Sequence, residues 1–148
     1  MKKQVQEVNL LFSDDNYQSG FDGDDKGFVK IFREVPFIVV GEKLTGREIG
    51  IFLYLATNTN YNFNIAKHRN GKPIKRKHLS DELGLYQNVV SQGVNKLIDL
   101  GFIAEIKANG ETCFVVNPYL SRKSPDVSKQ IVDLFRGKIN FTKYLFTE

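Results

Sequence analysis

The chain has 148 residues, 41% of them apolar and 26% charged, enough to bury one core and hardly more, so one domain with tails is expected. Its net charge of +4 is unevenly spread: residues 1–27 set Lys2, Lys3 and Lys26 against Glu7, Asp14, Asp15, Asp22, Asp24 and Asp25, leaving a basic body of +7 suited to a polyanionic partner. A single cysteine, two histidines, apolar runs far below the roughly 18 residues of a membrane span, and a start without an apolar signal core exclude a disulfide framework, a Cys/His zinc site, a membrane protein and a secreted one, and the expected place is the cytoplasm.

Residues 13 to 27 are rich in Asp, Ser, Gly and Asn without periodicity, so positions 1–27 are expected to form a flexible acidic leader. Asp22-Gly-Asp-Asp-Lys-Gly27 opens like a calcium loop. Lys26 at its fifth position and Arg33 at its twelfth, where a bidentate Glu is required, rule against it. From Phe28, partial alternation through Val35 and the run Phe37-Ile-Val-Val40 predict strand or an extended arm. Thr45-Gly-Arg-Glu48 then fits a capping box. Behind it Ile49, Phe52, Leu53 and Ala56 form one helical stripe and Ile51, Tyr54 and Leu55 a second face. Such a helix is buried on two sides, as a central core helix or against another subunit. Ala66 to His78 carries Lys67, Arg69, Lys72, Lys75, Arg76 and Lys77 and no acid; alone, that is an ordinary solvated surface.

Ile74 to Phe102 predicts a helix, a tight turn, a second helix and a stop. Leu79 and Leu83 mark the inner face of the first helix, Gly84 suits a left-handed terminator, and Leu85 tucks into the core. The second helix runs from about Gln87 to Leu100, with Val90, Val94, Leu97 and Ile98 inward and Gly101 as its stop. Gly93 costs it about 1 kcal/mol relative to Ala, which points to close approach to the preceding helix. Left outside are Tyr86, Gln87, Asn88, Val89, Ser91, Gln92, Asn95 and Lys96. Amides pair bidentately with adenine and apolar groups touch the thymine methyl, so Asn88, Val89, Gln92 and Asn95 are candidate base readers of duplex DNA. Lys72, Lys75, Arg76, Lys77, Tyr86, Gln87, Ser91 and Lys96 are candidate phosphate contacts.

Phe102 to Lys107 and Glu111 to Val116 are joined through Asn109-Gly110, a strong hairpin signal. The order helix, turn, helix, hairpin is that of a winged helix, with Lys107, Asn109 and Gly110 on the wing. Asn117-Pro-Tyr-Leu120 closes it. A last helix is expected near Asp126, with Val127, Ile131, Leu134 and Phe135 on one face, packing on the domain or joining two copies in a homodimer, and the apolar residues 138–148 should dock. The expected division is a leader (1–27), an α+β winged helix-turn-helix with an N-terminal extended arm (28–120), and a C-terminal helix and tail (121–148).

Catalytic chemistry is poorly represented. No G-x-x-x-x-G-K-[ST] or G-x-G-x-x-G cradle occurs. His68 and His78, ten residues apart, form neither a metal pair nor His-x-His, and are expected to be solvated or to face phosphate. Tyr86 lacks metal ligands that would make it a nucleophile, and Cys113 suits a small buried thiol. No enzyme, cofactor or metal is expected.

Phe28-Val-Lys-Ile31, Phe52-Leu-Tyr-Leu55, Tyr61-Asn62, Val90-Ser91, Lys96-Leu97, Asn117-Pro-Tyr-Leu120 and Leu134-Phe-Arg-Gly137 together resemble the RepL family of plasmid replication proteins, over about residues 28 to 137. The Asn-Pro-x-Leu and Phe-Arg-Gly elements are the narrowing ones. The resemblance implies a winged-helix protein that binds its plasmid's origin and helps to start replication, with host replication proteins as partners. The long Asn58-to-Pro73 connection and the acidic leader depart from the pattern. The same module also serves transcriptional repressors and, in another class, winged helices that bind protein and ignore DNA.

Overall fold

A computed structural model describes residues 5–9 and 29–144. In chain order it contains β1 (Gln6–Val8), β2 (Lys30–Ile31), α1 (Val35–Gly41), α2 (Gly46–Thr57), α3 (Arg76–Leu83), α4 (Gln87–Asp99), β3 (Ile103–Ala108), β4 (Glu111–Val116), β5 (Ser121–Arg122), α5 (Lys129–Phe135) and one 3₁₀ turn at Phe141–Lys143. The class is α+β, as the sequence predicts.

Helix α1 corrects the expected second β run. Pro36 sits in its first turn, where a missing N–H costs nothing, and Val35 and Ile38 bury one turn apart. Burying an aliphatic side chain gains about 1.5–3 kcal/mol, which outweighs a β-propensity scale spanning about 1 kcal/mol. Of the preceding segment only Lys30–Ile31 is strand, antiparallel to β5.

Helix α2 starts as predicted. The Glu48 amide donates to Thr45 Oγ1 at 3.2 Å and the Thr45 amide to Glu48 Oε1 at 2.8 Å. Ile51, Phe52, Leu55 and Ala56 are buried and Leu53 is exposed, so the apolar girth faces inward on a different stripe from the one expected. Gly84 at φ 67° ends α3, and Gly84-Leu-Tyr86 leads directly into α4. Leu79, Val90, Val94 and Leu97 complete a core in which Phe52 and Phe102 meet edge to face at 5.2 Å. The expected close approach at Gly93 is made to α2 rather than α3: a Cβ there would lie 3.0 Å from Ile51 Cδ1.

Asn109 (φ 52°) and Gly110 (φ 88°) close the β3–β4 hairpin in register from Ile103↔Val116 to Ala108↔Glu111. Cys113 through Val116 are all buried because both faces of the sheet are covered. Phe114 and Val116 pack toward the helices, while Cys113 and Val115 meet Phe63, Ile65, Ile131 and Phe135 in a second cluster. Residues 64–66 line the free edge of β4, Ala66 donating to the Phe114 carbonyl and Val116 to that of Asn64, both at 2.9 Å. The opposite edge of the hairpin holds the other correction. Gln6–Val8 pairs parallel with Ile106–Ala108, so this stretch of the supposed flexible leader is a strand; residues 10–28, including Asp22 to Gly27, lie outside the described residues.

Two buried asparagines pin the connections. Asn64 Nδ2 donates to the Val116 and Ser121 carbonyls at 2.7 and 2.8 Å, and Asn117 Nδ2 to that of Gly101 at 2.8 Å. Helix α5 begins at Lys129 rather than near Asp126 and buries Ile131 and Phe135 against the sheet of the same chain. The tail docks as far as it is described: Ile139 is buried, the Tyr144 hydroxyl donates to Glu42, and Lys143 Nζ lies 3.3 Å from the same carboxylate.

Candidate nucleic-acid interface

The basic run reaches α3 in extended backbone, with Lys75 as N-cap residue and Lys72, Lys75 and Lys77 exposed. The Lys75 amide donates to His78 Nδ1 at 2.9 Å, the returning half of a capping box with imidazole in place of Glu. His68 and His78 are not solvated side chains as expected: both are half-buried, their rings edge to face with centroids 4.5 Å apart. The Lys67–Pro73 bridge folds the run back and makes this contact, which the ten-residue spacing could not announce. Burial, then the neighbouring His68 and Lys77, holds the His78 pKa below its ordinary value. A neutral ring is what the accepted hydrogen bond requires.

Arg76 is the hub of the site. Its Nη2 lies 2.9 Å from Glu105 Oε1 and 3.1 Å from Asn95 Oδ1, its Nη1 lies 3.2 Å from Ser91 Oγ, and its Nε lies 3.4 Å from Glu105 Oε2. One planar guanidinium therefore joins α3, α4 and β3, a task suited to its fixed fork of donors. Glu105 is the residue sequence reasoning missed. Its signal was faint: a lone acid in a strand whose only other charge is Lys107.

On α4, Asn88 and Gln92 stand exposed one turn apart, Val89 is half-exposed beside them, and Tyr86 at the N-cap is 81% exposed. Asn95 and Ser91 lie on the flank turned to Arg76. Lys96 lies on the other flank, 3.3 Å from Glu48 of α2. The twelve expected DNA-facing side chains are thus sorted by the fold: Asn88, Gln92, Val89, Tyr86 and Gln87 present outward, whereas Arg76, Ser91, Asn95 and Lys96 are held by neighbours, and Lys72, Lys75 and Lys77 are exposed on α3 and the loop before it, Lys77 sharing a cleft with Gln87.

A cleft of about 320 Å³ between the starts of α3 and α4 is lined by Arg76, Lys77, Gln87, Val90 and Ser91. A second, of about 270 Å³, separates α3 from the hairpin, with Lys75, Lys77, Glu105, Thr112 and Cys113 among its walls. Lys107, Asn109 and Gly110 are exposed at the hairpin tip, Lys107 on the same sheet face as Glu105 and in register with Glu7 of β1. The arrangement offers cations and amide donors at a concave surface, suited to phosphate oxygens and base edges. Cys113 is buried, and that burial pushes its thiol pKa up to about 11, against formation of a thiolate. Among the described residues no three His, Cys, Asp or Glu side chains group as metal ligands, and no helix is long and apolar enough to cross a membrane. Comparison of the chain with family models, curated proteins and solved structures finds no match.

Proposed function

We propose that this chain is a winged helix-turn-helix protein that binds a specific site in duplex DNA as a homodimer, and that the site is a plasmid replication origin. The observation that carries the reading is the cleft where Arg76 and Lys77 of α3 meet Gln87 at the start of α4, the helix on which Asn88 and Gln92 stand exposed. Phosphate held there would set α4 against a major groove, with the β3–β4 hairpin as the wing beside it. Between α2 and α3, Ile65 bridges antiparallel to Val115 and so extends the hairpin sheet on its β4 side. The origin, rather than a promoter, is supported by the resemblance to the RepL family at Asn117-Pro-Tyr-Leu120 and Leu134-Phe-Arg-Gly137. Both stretches hold buried residues, Asn117 and Phe135 among them.

Fluorescence anisotropy on duplex fragments across a salt series tests the binding. With Lys72, Lys75, Lys77 and Lys107 each neutralising one phosphate, log affinity falls against log salt with a slope of about −4 per bound copy, and Lys77→Ala reduces it by about one. A slope near zero, or no duplex binding at low salt, rejects the reading. A footprint on a promoter instead of an origin would make the protein a repressor.

A further inference from the structure

The sequence set four side chains of α4 to read bases and left the identity of those bases open; the tertiary contacts narrow both. Resting on the DNA-binding reading above, we propose that α4 reads A·T pairs through Asn88 and Gln92, with Val89 against a thymine methyl, and that Asn95 and Arg76 are positioning residues.

Asn95 Oδ1 is occupied by Arg76 Nη2 at 3.1 Å. A bidentate adenine contact needs that oxygen to accept from N6 while the amide nitrogen donates to N7, and an Asn95 side chain held toward Arg76 on the flank of α4 is not free to aim both groups at one base. Asn88 and Gln92 keep both groups, being exposed and engaged by no other described side chain. Guanine is read by Arg or Lys. Of the cations beside α4, Arg76 turns into Glu105 at 2.9 Å and Lys96 toward Glu48 at 3.3 Å, while Lys77, across the cleft on α3, is assigned to phosphate. Cytosine is read by a carboxylate, and α4 has none before Asp99 at its far end. Beyond Tyr86 at its N-cap, assigned to phosphate, a helix docked by its N-terminal half therefore presents amides and a valine, the chemistry of adenine and thymine. Asn88 and Gln92 are separated by about 6 Å along the helix, close to two base-pair steps of about 3.4 Å, so the two residues address pairs two steps apart.

The test is selection of the full-length chain on a random duplex pool, followed by anisotropy on the winning site and on versions with single A·T to G·C changes. The expected site holds A·T pairs two steps apart where Asn88→Ala and Gln92→Ala each remove preference, with affinity falling about 5- to 150-fold on the cognate site and unchanged on the random pool. Gln92→Arg should move its position toward G, and Lys77→Ala should weaken every duplex alike. Enrichment of G·C at those positions, or consensus sites unaltered by the two alanine variants, overturns the inference while leaving DNA binding in place. Equal binding of all duplexes does the same. Absence of any duplex binding takes down the underlying reading as well.

Discussion

His78 joins helix start, charge and pH in one side chain. Its Nδ1 accepts the Lys75 amide, and burial with His68, Lys77 and Lys75 depresses its pKa against the opposing pull of Asp81. Above its ordinary value of 6.5 the ring is neutral in folded and unfolded chains alike, so it contributes no pH dependence there. Below that value the unfolded chain takes up the proton more readily than the folded one, and stability falls until the pH passes beneath the depressed folded-state value. His78→Gln keeps an acceptor at the same capping position without a titrating ring. Thermal melts of the two proteins should diverge as pH drops from 7 to 5, with the wild type losing more. Parallel melts would show that the ring is not buried against α3. The hydrogen bond was not foreseeable from a His at that position, because Glu and Gln are the residues whose presence there signals a cap; the Lys cluster around it was plain in the sequence.

At the scale of the elements, α2 and α4 pack through Gly93. Helix propensity alone makes Gly93→Leu stabilising by about 1 kcal/mol, whereas a Cβ already comes within 3.0 Å of Ile51 Cδ1 and 3.7 Å of Glu48 Cγ. Overpacking costs typically about 1–3 kcal/mol, so Gly93→Leu is expected to lower the unfolding free energy in urea by up to about 2 kcal/mol. A gain would mean that α2 yields. The helices themselves were legible because their signals are local: the Thr45–Glu48 box, Gly84 after Leu83, and the spacing of Val90, Val94 and Leu97 all act within one or two turns. Which helix Gly93 touches was not local, and the sequence reading chose the wrong neighbour. Helix α1 failed for the same kind of reason, its β-favouring residues being outvoted by burial of Val35 and Ile38.

For the whole molecule, the least expected feature is β1. Three residues from the N-terminus run parallel to β3, the Asn109 amide donates to the Val8 carbonyl at 3.1 Å, and Gln130 Nε2 reaches the Asn9 carbonyl at 2.8 Å. Val8 packs on the second apolar cluster, so Val8→Asp removes apolar burial there and leaves the β3 edge open. The expected result is a loss of about 1–2 kcal/mol in stability and faster amide exchange in β3, with α2 unaffected. Unchanged exchange in β3 would sink the pairing. Glu7 stands in register with Lys107, so the same variant also separates an acid from the cation at the hairpin tip.

By itself the sequence determined the helix pair, the Gly84 stop between them, the Asn109-Gly110 hairpin and the cationic approach to α3, since each is specified by residues within a few positions of one another. Only the tertiary structure decided that Gln6–Val8 and residues 64–66 flank the hairpin, that His68 meets His78, and that Arg76 turns to Glu105, Ser91 and Asn95 rather than outward. Those choices depend on which sheet edges lack partners and which charges come to lie together after collapse. Neither is written in the spacing of neighbours along the chain.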